Sequence, residues 1–325
     1  MSITIKHIEA AALRIAPFAV RTPLLASAGL AEAIGASAAY LKPEVLQVCG
    51  AFKFRGAMNR LAQLTPAQRK AGVVAFSSGN HAQGVAIAAG IVGCPAVIVM
   101  PGDAPQIKID GTRAAGAEIR LYDRYSESRE AISQAIAVER GAVVVPAFDD
   151  LDVIAGQGTI GLEIADQAAQ AGGPLDILLC PVGGGGLIAG TSLALADRSP
   201  GTQVWGVEPA GFDDTARSLA AQERLGNSSG GSTLCDSLMS PMPGLSTFAI
   251  NQETLAGVLT VTDAEVKAAM RFAFERLKLV VEPGGSVGLA AALAGKLDLS
   301  GKRVGIVLSG GNVDPGQFAQ ILAEG

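Results

Sequence analysis

Residues 71–92 read AGVVAFSSGNHAQGVAIAAGIV and contain the clearest fold signal in this sequence. A short apolar run, Val73–Phe76, is followed by a turn of small polar residues and then by an Ala-rich stretch over residues 81–92. A buried parallel strand forms a continuous apolar run in a sequence, and the helix that covers it follows within a few residues. These residues therefore predict one strand, a tight turn and one helix.

The same alternation continues along the chain. Helical patterns over residues 107–116 and 126–140 separate further short apolar runs, which lie at residues 96–100, 118–121, 177–181, 204–207 and 304–308. Strands that alternate with helices form parallel sheets joined by crossover helices. We predict an α/β protein with two lobes, each an open, mostly parallel twisted sheet flanked by helices.

The lobes are assigned from where the alternation pauses. We expect a larger cofactor-binding domain from residues 1–71 and 151–325, and a smaller mobile domain from residues 72–150. The N-terminus has the pattern of an amphipathic helix. Residues 149–161 and 226–232 have the composition of surface connections, and the first is predicted to cross between the lobes.

Charge and cysteine content limit the class of protein. The chain has 325 residues and a net charge of −5, which gives no positive field for nucleic acid or an anionic membrane. Its four cysteines lie far apart without a C-x-x-C pair, so neither a zinc site nor a disulfide framework is predicted. We expect a cytoplasmic protein whose partner is a small molecule.

Two long apolar stretches, residues 71–102 and 177–196, raise the question of a membrane span, because about 20 apolar residues cross a bilayer. Pro95 and the polar turn at residues 77–81 interrupt the first, and Pro181 and four consecutive glycines interrupt the second. We therefore predict buried strands, turns and helices, and no membrane partner.

Lys53 is the first candidate for chemistry. It lies near the start of a predicted helix, between Phe52 and Phe54. The positive end of a helix dipole and poor solvation both disfavour an ammonium, which lowers the pKa of the amine and favours imine chemistry. On its own, a lysine between aromatic residues is also typical of an ordinary surface group whose stem packs on apolar neighbours.

Three turns at predicted strand ends are candidate binding sites. The turn at residues 77–81 (Ser-Ser-Gly-Asn-His) opens a helix and can bind a carboxylate or phosphate, although it also fits a simple helix cap. Gly183, Gly184, Gly185 and Gly186 allow backbone amides to surround a phosphate. Ser309, within Ser-Gly-Gly-Asn, can offer a hydroxyl to the cleft between lobes, because ligands bind at the carboxyl ends of parallel strands.

The glycine segment has a second interpretation. Gly184-x-Gly186-x-x-Ala189 fits a dinucleotide fingerprint, and Glu208 follows about 20 residues later, where a ribose-binding acid is expected. A nicotinamide-dependent oxidoreductase is therefore the alternative from another enzyme class, but it leaves Lys53 unexplained.

Taken in this order and spacing, the four segments resemble the fold type II (tryptophan synthase β-like) pyridoxal-phosphate enzymes, closest to the serine/threonine dehydratase and serine racemase group. The resemblance covers residues 42–312. It implies that Lys53 carries pyridoxal 5′-phosphate as a Schiff base and then acts as the base for the substrate α-proton. Phe52 would pack near the cofactor ring, and Asn80 would bind its phenolic oxygen.

The resemblance also assigns the remaining cofactor and substrate contacts. Ser309 would face the pyridine nitrogen, and the four glycines at residues 183–186 would hold the phosphate. The substrate carboxylate would lie against Ser77, Ser78, Asn80 and His81, with Ser78 as a second acid/base. These roles predict a dehydratase (ammonia-lyase) that converts L-threonine or L-serine to a 2-oxo acid and ammonia.

A divalent cation site is implied by the racemase group. Glu208 and Asp214 would supply carboxylates and Phe212 a backbone carbonyl, and such hard oxygen ligands suit Mg²⁺ or Ca²⁺. The same two acids also fit a solvated loop without metal. A homodimer is implied by the same resemblance.

Some positions depart from the family pattern. Cys49 and Ala51 stand where Thr and Ser are common, and Asp236-Ser237 stands where Asp-Gly is frequent. We expect these positions near the substrate, so 3-hydroxyaspartate and phenylserine remain alternative substrates. Serine racemase activity also remains open, as does a non-catalytic protein that binds pyridoxal phosphate or an amino acid.

Overall fold

A computed structural model describes residues 3–77, 79–104, 106–123, 125–228 and 231–324, with the backbone alone at residues 107 and 108. Its strands form two sheets. The strands are β1 (Leu25–Ala26), β2 (Ala38–Pro43), β3 (Val73–Phe76), β4 (Ala96–Pro101), β5 (Glu118–Tyr122), β6 (Val143–Val144), β7 (Ile177–Pro181), β8 (Gln203–Pro209), β9 (Gly257–Val261) and β10 (Arg303–Leu308).

Helices connect and cover the strands. They are α1 (Ile5–Ile15), α2 (Ala28–Ala33), α3 (Lys53–Leu61), α4 (Pro66–Ala71), α5 (Asn80–Val92), α6 (Gln106–Ala114), α7 (Arg129–Arg140), α8 (Leu151–Gln170), α9 (Gly186–Arg198), α10 (Asp214–Ala221), α11 (Leu245–Thr254), α12 (Asp263–Phe272), α13 (Pro283–Leu293) and α14 (Pro315–Ala323). Short 3₁₀ turns lie at Glu44–Leu46 and Asp236–Leu238, and one π-helical turn follows α12 at Ala273–Leu277.

The sheets have the predicted character. The larger has the strand order β1-β2-β10-β7-β8-β9, and the smaller has the order β5-β4-β3-β6. Neighbouring strands run parallel throughout, except that β1 pairs with β2 in the antiparallel direction. The prediction of an α/β protein with parallel sheets flanked by helices is therefore confirmed. The division into domains at residues 72–150 stays a prediction.

The prediction that residues 149–161 form a surface connection is wrong. Most of them belong to α8, and every residue from 153 to 161 is buried. The glycines there permit close packing: a Cβ at Gly156 would lie 2.6 Å from the Arg55 carbonyl oxygen, and one at Gly161 would lie 2.5 Å from that of Thr191. Glycine in this segment thus serves helix contact with α3 and α9, not chain flexibility.

Two other local predictions, for the N-terminal helix and for residues 226–232, agree with the structure. The amphipathic N-terminal helix is α1, whose buried face is Ile8, Ala11 and Ile15. The described part of residues 226–232 lacks regular structure and is mostly exposed, as expected of a surface connection. Within the described residues, no helix combines the length and apolarity that a bilayer crossing requires.

Candidate active site

A cleft of about 570 Å³ lies at the carboxyl ends of strands from both sheets. Its volume is in the range of small-ligand sites. Residues from all four predicted segments line it: Phe52, Lys53, Ser77, Asn80, His81, Gly183, Gly184, Gly185, Gly186 and Ser309. Ser78, the predicted second acid/base, lies outside the described residues.

Lys53 is the first residue of α3, and its amine lies inside the cleft. Its Nζ donates to the Ala147 carbonyl oxygen at 2.8 Å and lies 5.0 Å from the centre of the Phe52 ring. Burial lowers the pKa of the amine to about 8, although the negative charge of Glu282 opposes that shift. About one tenth of the amine is therefore neutral at pH 7 and available for attack on a carbonyl or for proton abstraction. Phe54 is fully buried in the core.

Backbone pairing holds Lys53 beside Ser309. The Phe52 N–H donates to the Ser309 carbonyl oxygen at 3.0 Å, and the Gly311 N–H donates to that of Gly50 at 2.9 Å. An antiparallel bridge joins Ala51 to Gly310 between these two bonds. The Ser309 side chain is buried at the end of β10. The amine and the hydroxyl therefore sit on two segments whose register the backbone fixes.

His81 is a neutral member of the turn that opens α5. Its Nε2 lies 2.9 Å from the Val145 carbonyl oxygen, which can only accept, so Nε2 carries the proton. Burial, together with the charge of Lys53, lowers the pKa of His81 to about 3. An anion bound at this turn would thus be held by N–H and hydroxyl donors, because the histidine supplies no positive charge.

The glycine loop joins β7 to α9 and leaves no room for side chains. A Cβ at Gly184 would lie 2.3 Å from the Phe148 ring, and Gly185 has a φ of +91°, which disfavours other residues. The amides in the first turn of a helix have no acceptor within it, so this loop and the start of α9 can bind an anion.

The dinucleotide interpretation of this loop requires an acidic residue in the cleft, and Glu208 does not lie there. Glu208 is fully buried and lies outside the cleft lining. Its two carboxylate oxygens accept from the Thr215 and Ala216 N–H groups, both at 3.0 Å. A ribose in the cleft could not reach this carboxylate.

Residues 145–149 contribute contacts that sequence reasoning missed. They cross from the smaller sheet to α8. Ala147 accepts from Lys53, Phe148 packs on Gly184, and the Asp149 carboxylate accepts from the Leu245 and Ser246 N–H groups, both at 2.8 Å. Only a short apolar run at Val143–Val144 followed by Pro146 marked this segment, and that pattern says nothing of its contacts.

Glu282 is a second cleft residue that was not identified from the sequence. It is the residue before α13, lines the cleft and accepts from Asn80 Nδ2 at 2.6 Å. The sequence signal was present, since Pro283 occupies the first turn of a helix and marks its start. What the sequence could not show is that this helix starts opposite Asn80.

Two arginines bring positive charge to the cleft. The guanidinium carbon of Arg129, at the start of α7, lies 5.2 Å from the centre of the Phe76 ring, next to the 77–81 turn. Arg129 also pairs with Glu130 at 2.9 Å. Arg224 lines the cleft and donates through Nε to the Pro243 carbonyl oxygen at 2.9 Å. A substrate with a second carboxylate would therefore find a cation here.

The departures from the family pattern do not all face the cleft. Cys49 and Ala51, which we expected near the substrate, are buried and are not among the cleft-lining residues, so their nearness to the substrate stays a prediction. Burial raises the pKa of the Cys49 thiol to about 11. Asp236 and Ser237 do line the cleft.

The predicted metal ligands lie together, away from the cleft lining. Phe212 is in the turn between β8 and α10, and Glu208 and Asp214 flank that turn, both fully buried. Burial, together with the Asp214 charge, raises the pKa of Glu208 to about 8, and burial raises that of Asp214 to about 6. Asp214 Oδ1 accepts from Asn227, whereas Oδ2 is buried without a hydrogen-bond partner. The described residues contain no cluster of three His, Cys, Asp or Glu side chains suited to a metal.

Comparisons with known proteins show what the whole chain resembles. The sequence profile of the family described as "Pyridoxal-phosphate dependent enzyme" matches residues 15–310. The chain is 45% identical to an L-threo-3-hydroxyaspartate ammonia-lyase from Pseudomonas sp, over 96% of each. It is 42% identical to an L-threonine ammonia-lyase from Thermotoga maritima, over 99% of this chain and 79% of that one. The structure of maize serine racemase superposes with a TM-score of 0.93 at 37% identity, covering 100% of this chain and 98% of the other.

Proposed function

Because this chain belongs to the family of pyridoxal-phosphate dependent enzymes, we propose that it is an ammonia-lyase for a small β-hydroxy amino acid, with Lys53 as the residue that carries the cofactor. The observation that supports this most is the position of the Lys53 amine. It has a pKa lowered to about 8, and it shares one cleft with the glycine loop and Ser309.

The residues present fit the cofactor. The glycine loop has no Cβ at Gly184, where one would collide with Phe148, so its backbone amides can lie close to a phosphate. The loop leads into the start of α9, whose first amides are also free to bind an anion. Lys53 would supply the amine, and Ser309 a hydroxyl for the pyridine nitrogen. Bound there, pyridoxal phosphate would supply an electron sink for the negative charge left on the substrate α-carbon.

The positions of the chain's own groups support the following roles. Neutral Lys53 takes the α-proton, and the Ala147 carbonyl orients its amine at 2.8 Å. The turn at residues 77–81 holds the substrate carboxylate with donors. Ser309 offers an uncharged hydroxyl, which favours prompt loss of the β-hydroxyl over a long-lived carbanion. Loss of water from the substrate gives an enamine, which tautomerises to an imine and hydrolyses to a 2-oxo acid and ammonia.

A dicarboxylic substrate, threo-3-hydroxyaspartate, is a second candidate. The observation that favours it is Arg129, which lies over Phe76 at the edge of the turn that would hold the α-carboxylate. One of the relatives described above acts on this compound by its name. Serine and threonine have no second carboxylate, so they gain nothing from that charge.

A panel of L-serine, L-threonine, L-threo-3-hydroxyaspartate and phenylserine tests the proposal, with 2-oxo acid, ammonia and residual chirality measured. We expect stoichiometric 2-oxo acid and ammonia from at least one compound. In Arg129→Gln, kcat/KM for hydroxyaspartate should fall about 10- to 100-fold, because a charge-assisted hydrogen bond is lost, while serine turnover changes little.

Arg224→Gln is the matched control, since it removes the other cleft arginine. An equal, selective loss in both variants would contradict the role of Arg129. Absence of product from every compound, on protein that has bound cofactor, would reject the lyase. Exchange of chirality without 2-oxo acid would indicate a racemase instead.

We also propose that Glu208, Asp214 and the Phe212 carbonyl bind Mg²⁺ or Ca²⁺. Burial and the charge of Asp214 raise the pKa of Glu208, and Asp214 Oδ2 is buried without a hydrogen-bond partner, so a divalent cation beside both side chains would favour their ionised forms and satisfy that oxygen. The oxygen-only donor set suits a hard cation. Since these residues lie outside the cleft, the ion would act on stability and not on the reacting atoms.

Chelation followed by Mg²⁺ addition should reveal this site. At a concentration one hundred times Kd, the ion should raise the free energy of unfolding by about 2.7 kcal/mol, measured by denaturant titration. Asp214→Asn should lose this response. Asp213→Asn should keep it, because Asp213 instead forms a partly exposed ion pair with Arg217. A response that survives Asp214→Asn would place the ion elsewhere.

A cytoplasmic location and a homodimer complete the proposal. All four cysteines are buried free thiols, which suits a reducing compartment. The homodimer rests on the family resemblance.

A further inference from the structure

Three side chains form one hydrogen-bonded chain along the wall of the cleft. Asn312 Nδ2 donates both to the Cys49 carbonyl oxygen and to Asn80 Oδ1, each at 2.8 Å. Asn80 Nδ2 then donates to Glu282 Oε1 at 2.6 Å. Asn80 and Glu282 are buried, and both line the cleft. The three side chains and the Cys49 carbonyl come from four separate parts of the sequence.

The two ends of this chain fix the direction of every bond in it. The Cys49 carbonyl can only accept, so the Asn312 atom that faces it must be the NH₂ group. That group then presents its other hydrogen to Asn80, whose facing atom must be the carbonyl oxygen. Glu282 closes the chain, because its carboxylate requires a donor. The amide of Asn80 therefore has one permitted orientation.

Two glycines provide independent support, because they leave the space that the chain occupies. A Cβ at Gly310 would lie 2.4 Å from Glu282 Oε1 and 3.1 Å from Asn80 Nδ2. A Cβ at Gly50 would lie 2.7 Å from Asn312 Oδ1. Any side chain at either position would displace a member of the chain.

We propose that Asn312 and Glu282 are positioning residues, which hold the Asn80 amide so that its second N–H is directed at the phenolic oxygen of the cofactor. This inference rests on the cofactor site of the proposed function. An N–H there stabilises a negative oxygen, whereas the reversed amide would set a carbonyl against it. Neither Asn312 nor Glu282 needs to touch the substrate for this role.

Asn312→Asp tests the proposal, since it keeps the size of the side chain and replaces the donor with an acceptor. In the cofactor-loaded protein without substrate, we expect the ratio of visible to near-ultraviolet cofactor absorbance to fall about tenfold, because the donor to the phenolic oxygen is lost. Asn59→Asp is the control: Asn59 is buried and also donates to a backbone carbonyl, that of Asp152, outside the cleft. It should leave the spectrum unchanged.

A double-mutant cycle shows whether Asn312 acts through Asn80. In an Asn80→Ala background, Asn312→Asp should shift the ratio no further. Glu282→Met, which removes the acceptor for Asn80 Nδ2, gives the same test from the other end of the chain if Asn312→Asp does not fold. Wild-type ratios in both variants, or an undiminished shift in the Asn80→Ala background, would overturn the inference. A protein that takes up no pyridoxal phosphate at Lys53 would instead reject the proposed function.

Discussion

Replacing Lys53 with methionine will abolish turnover and stabilise the cofactor-free protein. The loss of activity should be at least about 10⁴-fold, the upper end of what one acid–base group contributes, because the same amine also holds the cofactor. Methionine fills a similar volume beside Phe52 without an ionisable group. Steady-state formation of 2-oxo acid measures the first effect, and denaturant unfolding of cofactor-free protein measures the second.

The gain in stability follows from the pKa of Lys53, which is lowered from 10.5 to about 8. Between these values the unfolded chain binds a proton that the folded chain does not. The lysine therefore lowers the free energy of unfolding increasingly as pH falls from 10.5 to about 8, and below about 8 this destabilisation is constant. The full shift corresponds to about 3 kcal/mol. We expect about 2 kcal/mol at pH 7, since the amine partly faces water in the cleft.

Lys53→Arg is the matched control. It retains the charge and cannot form an imine, so it should be inactive without the gain in stability. Reduction of the wild-type protein with borohydride should tag the peptide that contains Lys53. Turnover by Lys53→Met, or a tag at another lysine, would contradict the assignment of the cofactor to this residue.

The four segments that suggested the site could be identified from sequence because each is a local pattern. A strand end, a glycine run and a helix start fall within a few residues of one another, as in Pro181 followed by Gly183 to Gly186. The parallel sheets follow from the same local alternation of strand and helix. Pairings between distant residues leave no such trace. The Lys53 contact with Ala147 spans 94 residues, and the Asn80 contact with Glu282 spans 202.

Residues 149–161, which we predicted to be a surface connection, show a second limit of prediction from sequence. Gly156, Gly158 and Gly161 resemble the glycines of a flexible connection, because glycine marks loops and close helix contacts alike. In the structure each faces a neighbouring backbone, and a Cβ at Gly158 would lie 2.8 Å from the Gly190 carbonyl oxygen. The partner helix determines which meaning applies, and its position is a property of the whole fold.

A buried ion network behind Lys53 is expected to have the largest effect on stability. Arg55 donates to both oxygens of Glu44, each at 2.8 Å, and to Glu163 at 2.6 Å, while Lys42 also pairs with Glu163 at 2.6 Å. Lys42, Glu44 and Arg55 are fully or almost fully buried. Two positive and two negative groups balance, so removing one partner leaves an uncompensated charge in the core.

Arg55→Met should therefore lower the free energy of unfolding by about 3–5 kcal/mol, measured by denaturant titration. Arg60→Met is the matched control on the same helix: its ion pair with Asp150 is 3.2 Å long and partly exposed, so about 1 kcal/mol or less is expected. Adding Glu44→Leu to Arg55→Met should recover part of the loss, because the remaining Lys42 and Glu163 form a balanced pair. Equal losses in the Arg55 and Arg60 variants would show that the network is not exceptional.

The pH dependence of the free energy of unfolding of Arg55→Met distinguishes an uncompensated buried charge from a simple loss of packing. In the wild-type protein, burial is the largest single influence and favours the protonated form of Glu44, but Arg55, together with Lys42 and Thr22, holds the pKa of that carboxyl below its usual value. Without Arg55, burial should raise the pKa of Glu44 above its value in the unfolded chain. The folded variant then binds a proton that the unfolded chain has lost, so its stability should fall as pH rises from 5 towards 8. A packing defect alone would lower stability equally at both pH values, and that outcome would reject the electrostatic role of Arg55.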